Sequence, residues 1–123
     1  MENYHIAVLD IGKTNKKILV YDANLKLVDE KFNRLAELEK NGLLYDDVAG
    51  LKTWILETLT ILAKQFDIRV ISASAHGATY SMLDENMQSV VPQIAYNSDP
   101  GDDFHEEFYK HCGDPVELQK TTA

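Results

Sequence analysis

The first third of the chain alternates between short apolar runs and polar turns. Apolar residues fill positions 6–9 and 18–21, and a third, partly alternating run covers positions 25–32. Short runs rich in Ile, Leu and Val between polar turns are typical of β-strands. The pattern predicts three antiparallel strands, the first two ending at positions 10 and 21.

The next stretch changes to a helical period. Between residues 48 and 66, apolar side chains recur at spacings of three and four, among them Trp54. This spacing predicts an amphipathic helix with Trp54 in the core, and Asp46 or Asp47 as its N-cap. A strand at 68–74 follows. A crossover helix returns the chain parallel to its first strand, so we expect a β-β-β-α-β unit with a mixed sheet.

The rest of the chain carries weaker patterns. Residues 33–47 are mixed and predict a connection with a short helical turn. Short strands are predicted at 80–83 and 90–96, a helix at 102–112, and a further helix start near position 116.

Composition limits the class of protein. A chain of 123 residues is long enough for one domain with a core, and 45% hydrophobic residues is typical of a globular protein. The N-terminus lacks a signal-peptide pattern, no apolar run reaches the roughly 18 residues of a membrane span, and one cysteine excludes an internal disulfide. These features indicate a cytoplasmic protein without membrane contact. The net charge of −8 argues against nucleic acid as a partner, because a phosphate backbone requires a basic surface.

The turn between the first two strands carries candidate chemistry. Asp10 ends a strand, where a carboxylate suits Mg²⁺ or a metal-bound water. Gly12 lets backbone come close to a ligand, and successive N–H groups in a turn can form an anion site. Thr14 and Asn15 can donate hydrogen bonds, and one of the two lysines that follow can add positive charge.

Two other interpretations of this turn exist. Residues 12–14, Gly-Lys-Thr, match the end of a P-loop. However, Ala7 stands where that motif has its first glycine, and a strand is predicted after the turn where a P-loop has a helix. The simpler alternative is an ordinary hairpin turn with solvated lysines.

Small residues surround one histidine after the fourth predicted strand. Residues 73–79 are Ala-Ser-Ala-His-Gly-Ala-Thr. Small side chains at a strand end leave room for a ligand, or let backbone pack closely on backbone. His76 fits ligand contact and structural hydrogen bonding equally well. Further along, the histidines and the cysteine between positions 105 and 112 match no common zinc spacing.

Four segments, in order, resemble the FGGY family of carbohydrate kinases. Residues 10–17, DIGKTNKK, resemble the family's phosphate motif D-x-G-T-[TS]-[SN] with a basic residue shortly after it. Trp54 lies where the family often has tryptophan in its first long helix. Residues 74–84 resemble the family's segment from S-G-Q to L-D, and residues 92–99 resemble P-x-I-x-[WY]-x-D-x-R. The resemblance covers essentially the whole chain and implies an α/β protein of the ribonuclease-H-like, actin-like ATPase fold.

The resemblance also implies an activity and a site. The activity is phosphoryl transfer from ATP, with Mg²⁺, to a hydroxyl of a sugar or polyol, a reaction that depends on positioning and charge stabilisation. Asp10 would hold Mg²⁺ through water. The other implied ATP-binding residues are Gly12, Lys13, Thr14, Asn15 and Lys17. The implied sugar-binding residues are His76, Gly77, Ala78, Tyr96 and Asp99.

Several positions depart from the family pattern. Lys13 replaces the usual threonine or small residue, His76 stands where glutamine is common, and small residues follow it in place of larger sugar-contacting side chains. Asp99 falls one residue late, without the usual arginine after it. These departures bear on the identity of the sugar. Asp99 also fits a second role, as the N-cap of a helix that starts with Pro100.

Complete members of the family are several times longer and bind ATP between two actin-like domains. The resemblance therefore implies that residues 1–123 are the N-terminal part of the first domain, without the second domain. It places the general base beyond Ala123, so we expect no catalytic residue in this chain and no kinase activity from it alone. The apolar surface expected on such a part favours self-association, for example as a homodimer.

Two alternatives come from other classes of protein. One is an actin- or chaperone-like ATPase domain that binds a protein partner, against which the small residues at 74–78 argue. The other is a non-catalytic binding domain, against which the uncapped helix start near the C-terminus argues.

Overall fold

A computed structural model describes residues 4–122. Its elements are β1 (His5–Ile11), β2 (Lys16–Asp22), β3 (Leu27–Asn33), β4 (Leu38–Lys40), β5 (Leu43–Tyr45), α1 (Val48–Leu62), β6 (Ile68–Ala75), α2 (Asp102–Cys112) and α3 (Pro115–Thr122). Four strands form a sheet in the order β3-β2-β1-β6. The β1–β2 and β2–β3 pairs are antiparallel, whereas β6 runs parallel to β1. The predicted mixed sheet and its β-β-β-α-β core are confirmed.

The turn before β3 shortens that strand relative to the prediction. The Asp22 carboxylate accepts hydrogen bonds from the N–H groups of Asn24 and Lys26, both at 2.9 Å. The turn leaves Leu25 in the left-handed region with φ of 62°, a conformation that cannot continue a strand. The strand therefore begins at Leu27 and not at Leu25.

Helix α1 packs on one face of the sheet. The buried core consists of Ala7, Ile18, Val20 and Leu62, with Leu9, Trp54, Leu59, Phe66 and Ile68 packed against it. Asp47 is the N-cap, and Trp54 lies on the sheet-facing side, as the apolar spacing predicts. The regular helix ends at Leu62, and residues 63–65 continue as turns, so the predicted end at position 66 is four residues late.

A second sheet, formed by β4 and β5, stands where a connection with a helical turn is predicted. That prediction is wrong. Asn41 and Gly42 join the two strands with φ of 54° and 78°, and two successive left-handed residues define the tight hairpin turn that Asn-Gly favours. The signal was therefore present in the sequence.

The strands predicted at 80–83 and 90–96 are also wrong. In the described chain these residues form only isolated bridges, between Leu83 and Ser89 and between Tyr45 and Ile94. The second segment instead runs alongside the end of β5. The Asp46 N–H donates to the Gln93 carbonyl, and the Ala95 N–H donates to the Leu44 carbonyl, both at 2.9 Å. This pairing brings residues 93–96 to the start of α1.

The later helices agree with the sequence pattern. α2 has the predicted bounds, and α3 begins at Pro115, one residue before the predicted start. Within residues 4–122, no helix is both long enough and apolar enough to cross a bilayer.

The two edges of the large sheet differ in chemistry. β6 is an edge strand whose side chains from Arg69 onward are exposed, including Val70 at 45% and Ile71 at 58%. β3, at the other edge, carries the consecutive charged residues Asp29, Glu30 and Lys31.

Gly50 is required by the cap of α1. The Asp47 carboxylate accepts from the Gly50 N–H at 2.8 Å, and a Cβ on Gly50 would overlap that carboxylate. A Gly→Ala change inside a helix usually stabilises by up to about 1 kcal/mol. We expect Gly50→Ala to give no such gain, because the new Cβ displaces the Asp47 cap at a cost of about 1 kcal/mol, which offsets it. Thermal unfolding followed by circular dichroism measures the change.

The control for this prediction is the same substitution in an Asp47→Ala background. There the carboxylate is already absent, so Gly50→Ala should stabilise the helix. If Gly50→Ala stabilises the chain that still carries Asp47, the proposed clash does not exist.

Candidate functional site

The ammonium of Lys16 lies beneath the β1–β2 turn. Lys16 is 7% exposed, and its Nζ donates to the carbonyl oxygens of Gly12 and Lys13, both at 2.6 Å. Burial lowers the pKa of Lys16 below its ordinary value, against the opposing effect of the Asp46 charge. Lys16 therefore organises the turn and has no free charge to offer a ligand.

These two carbonyls fix the direction of the turn's N–H groups. In a trans peptide the C=O and the following N–H point in opposite directions. Because the carbonyls of Gly12 and Lys13 point at the ammonium, the N–H groups of Lys13 and Thr14 point away from it. Neither N–H donates to an acceptor within residues 4–122. Successive free N–H groups in a turn form a concave anion-binding site.

Gly12 is fixed by close contact within the turn. A Cβ at this position would lie 2.9 Å from the Asn15 carbonyl oxygen, closer than real Cβ contacts, so a side chain here would force the turn open. Glycine is therefore favoured here by contact within the turn itself, and close approach of the backbone to a ligand stays a prediction.

Asp10 lies next to the turn at the end of β1. It is exposed and stands opposite Lys17 on β2 and Ser74 on β6. Its carboxylate has no hydrogen-bond or ion-pair partner among the described residues, while Lys17 Nζ lies 3.4 Å from Glu30 Oε1. Between residues 4 and 122 no three His, Cys, Asp or Glu side chains gather into a metal site. A single carboxylate suits Mg²⁺ that keeps its waters and shares phosphate ligands.

Arg34 is a basic residue at the turn that the sequence patterns do not single out. Its Nε donates to Asn15 Oδ1 at 3.1 Å, and its guanidinium lies over the Phe32 ring at 5.7 Å. With the amide oxygen occupied, the Asn15 side chain presents its NH₂ group to other partners. The contact depends on the course of the chain after β3, which no local motif encodes.

Lys13 is held by two carboxylates. Its Nζ lies 2.6 Å from Glu37 Oε1 and 2.8 Å from Asp46 Oδ1. Burial works against the charged ammonium, but the hydrogen bonds to Asp46 and Glu37 outweigh burial and raise the pKa of Lys13. For Asp46, burial is likewise outweighed, and hydrogen bonds from Lys13 and Gln93 lower the pKa of that carboxyl. Contact of Lys13 with a phosphate stays a prediction, and its ammonium is already paired.

His76 is anchored on both ring nitrogens. Its Nδ1 lies 3.3 Å from the Ile11 carbonyl oxygen, and its Nε2 lies 3.3 Å from Thr79 Oγ1. Because a carbonyl only accepts, Nδ1 carries the proton that it donates to Ile11, and Nε2 pairs with the Thr79 hydroxyl. Of the two roles that the sequence leaves open, the structure displays the structural one, and sugar contact stays a prediction.

Tyr96 and Ala78 line one cavity of about 320 Å³. The Tyr96 ring lies 5.8 Å from the His76 ring. Ala78 adopts a left-handed φ of 61°, which is uncommon for a residue with a Cβ and is concentrated at functional sites. Gly77, in contrast, lies on the exposed surface with open space around it.

Asp99 lies apart from this cavity. It lines a neighbouring open cleft of about 660 Å³ with Gly42 and Phe104, and its side chain is 78% exposed. The prediction that Asp99 caps a helix starting at Pro100 is wrong, because the N-cap of α2 is Gly101. The Asp99 carboxylate instead accepts from the Gly101 N–H at 2.9 Å. That bond, with His105, lowers the pKa of Asp99.

Solved structures of several carbohydrate kinases are similar to this chain. A carbohydrate kinase from Novosphingobium aromaticivorans matches 89% of this chain with a TM-score of 0.79 at 21% sequence identity. Glycerol kinase from Plasmodium falciparum, solved with ADP, matches 96% with a TM-score of 0.69 at 16% identity. Gluconate kinase from Lactobacillus acidophilus matches 76% with a TM-score of 0.66 at 23% identity. The chain therefore has the actin-like fold of these kinases, as the resemblance implied.

The match concerns one part of each kinase. The chain spans 23% of the N. aromaticivorans protein, 25% of the P. falciparum enzyme and 20% of the L. acidophilus enzyme. No protein-family model matches the sequence, and no curated protein matches it significantly.

Proposed function

We propose that this chain is the N-terminal part of the first domain of an FGGY-family carbohydrate kinase, which transfers a phosphoryl group from MgATP to a hydroxyl of a sugar or polyol. The observation that carries the proposal is the β1–β2 turn. It presents two N–H groups and the Asp10 carboxylate, none of which has a partner within residues 4–122, in a fold shared with carbohydrate kinases. Donors for an anion next to a carboxylate for a cation suit a metal-bound phosphate.

The residues of the turn divide the work of holding the nucleotide. The N–H groups of Lys13 and Thr14, the Thr14 hydroxyl and the Asn15 amide donate to phosphate oxygens. Gly12 would let the backbone approach the phosphates, Lys17 would add positive charge, and Asp10 would hold Mg²⁺. MgATP supplies the phosphoryl group, and the protein contributes positioning and charge stabilisation.

The sugar side begins at the cavity of Tyr96 and Ala78. Tyr96 offers an aromatic face and a hydroxyl, and the small side chain of Ala78 leaves room for a substrate. Gly77 lies next to this cavity in sequence, on the exposed surface. His76 orients this wall through Ile11, and Asp99 borders it from the adjacent cleft. The resemblance to the FGGY family implies a general base outside these 123 residues, and we keep that placement here. The carboxylates Glu37 and Asp46 are paired with Lys13.

The test is a coupled ADP-release assay on the complete protein that contains this chain, with a panel of aldoses, ketoses and polyols. We expect release that depends on one of these substrates, and none from the purified 123-residue chain alone, because the proposal places the general base and the second ATP-binding domain outside it. Sugar-independent release that a protein partner stimulates would favour a chaperone-like ATPase. Sugar-dependent release from the short chain would show that a base lies within it.

A further inference from the structure

The Lys13 side chain joins two separate parts of the molecule. Lys13 belongs to the turn of the large sheet, while Glu37 and Asp46 flank the small sheet of β4 and β5. The same Nζ lies 5.3 Å from the centre of the Tyr96 ring, within the range of cation–π attraction. The Lys13 ammonium thus contacts the residue before β4, the residue after β5, and Tyr96 in the wall of the candidate sugar cavity.

The link continues beyond Asp46. The other carboxylate oxygen of Asp46 accepts from Gln93 Nε2 at 3.1 Å, and the Asp46 N–H donates to the Gln93 carbonyl. Gln93 in turn accepts from the Ser81 hydroxyl. The contacts therefore connect the β1–β2 turn, through Asp46 at the start of α1, to the segment that carries Tyr96.

The charges in this link are shielded from solvent. The exposed fractions of the side chains are 16% for Lys13, 27% for Glu37 and 18% for Asp46. Removing one partner from a buried charge group leaves the others unpaired and costs far more than losing a surface pair. Without Lys13, Glu37 and Asp46 would repel each other across the gap that the ammonium now fills.

We propose that Lys13 is a positioning residue that holds the Tyr96 wall of the cavity at a fixed separation from the phosphate-binding turn. This inference rests on the proposed kinase function. It assigns the Lys13 backbone to phosphate binding and the side chain to alignment of the two substrates. Phosphoryl transfer depends on that alignment, since a displacement of about 1 Å can cost a hundredfold in rate.

The experiment compares Lys13→Met, Asp46→Asn, the double variant and Lys13→Arg in the complete protein, with Lys52→Met as control. Lys52 is an exposed lysine on α1, remote from the turn in sequence. Steady-state kinetics give kcat and the KM for each substrate. Hydrogen exchange at the Ala95 amide, which bonds to Leu44 across to β5, reports the hold on the Tyr96 segment, with the Leu9 amide of β1 as an internal reference.

If Lys13 positions the wall, Lys13→Met lowers kcat by about tenfold to a hundredfold, changes the KM for ATP by less than about threefold, and accelerates exchange at Ala95 but not at Leu9. Asp46→Asn should have a similar effect. The kcat of the double variant should be no lower than that of either single variant, because all three remove the same Lys13–Asp46 contact. Lys13→Arg should retain most activity, since a guanidinium can bridge two carboxylates.

A direct phosphate contact by the Lys13 side chain predicts the opposite pattern. Lys13→Met would then raise the KM for ATP, Asp46→Asn would leave or lower that KM, and exchange at Ala95 would not change. That pattern overturns the positioning role. If the native protein releases no ADP with any sugar, the kinase proposal fails, and unchanged exchange at Ala95 in Lys13→Met separately refutes the link.

Discussion

Asp10→Ala in the complete protein should reduce turnover by at least about a hundredfold, the scale of losing one preorganised charge contact at a reacting group. The fold should remain intact. Asp10 is exposed and has no partner among the described residues, so its loss should change the free energy of unfolding by no more than about 0.5 kcal/mol. The measurement is ADP release at saturating sugar and MgATP, together with thermal unfolding of the same preparations.

Two variants make this prediction specific. Asp10→Asn keeps the size and removes the charge, so it should be nearly as inactive as alanine if the carboxylate holds a cation. Glu57→Ala, at an exposed position of α1, should retain full activity. Near-native turnover in Asp10→Ala would remove Asp10 from the mechanism, and a broad loss of stability would make it a structural residue.

Lys16→Met should impair both stability and nucleotide binding. Methionine keeps most of the apolar stem but removes the ammonium that binds the Gly12 and Lys13 carbonyls. Two partly buried carbonyls then lose their donor, at a cost of about 1–3 kcal/mol. The peptides of the turn become free to rotate, so their N–H groups no longer converge, and the KM for ATP should rise by about tenfold or more.

The loss of stability distinguishes this role from simple charge attraction, which would raise the KM for ATP without destabilising the turn. Lys16 is 7% exposed, so its charge is not available to a ligand. The exposed Lys52 again supplies the matched lysine control. A KM for ATP that stays native in Lys16→Met would show that the turn keeps its conformation without the ammonium.

The sequence predicts those parts of the fold that are governed by local periodicity. The apolar runs of the large sheet and the three-four spacing through Trp54 specify their elements, because burial of one face decides each of them. The left-handed pair Asn41-Gly42 is also local, and its hairpin was missed because the flanking strands are only three residues long. The strand predicted at 90–96 does not form. Gln93 and Ala95 instead make two backbone hydrogen bonds to residues at the end of β5, a long-range contact that local sequence does not encode.

The candidate site divides in the same way. Asp10, Gly12 and the turn donors follow from a short motif, and the structure gathers them at one end of β1 and β2. The partners of Lys13 and Arg34, in contrast, do not follow from any short motif. Lys13 meets Asp46 across 33 positions of sequence, and Arg34 meets Asn15 across 19. Such pairs depend on how whole elements pack, and a single sequence carries no signal for choosing one carboxylate among 20 acidic residues.

The two edges of the large sheet differ in whether they can pair with a further strand. On β3, the consecutive charges of Asp29, Glu30 and Lys31 resist the approach of another strand, a common protection of sheet edges. On β6, the exposed Val70 and Ile71 leave the other edge open to pairing. Any strand that extends this sheet, from the same polypeptide or from another molecule, should therefore pair with β6. Concentrated samples of the isolated chain should form dimers through β6, and a charged residue placed there should keep them monomeric.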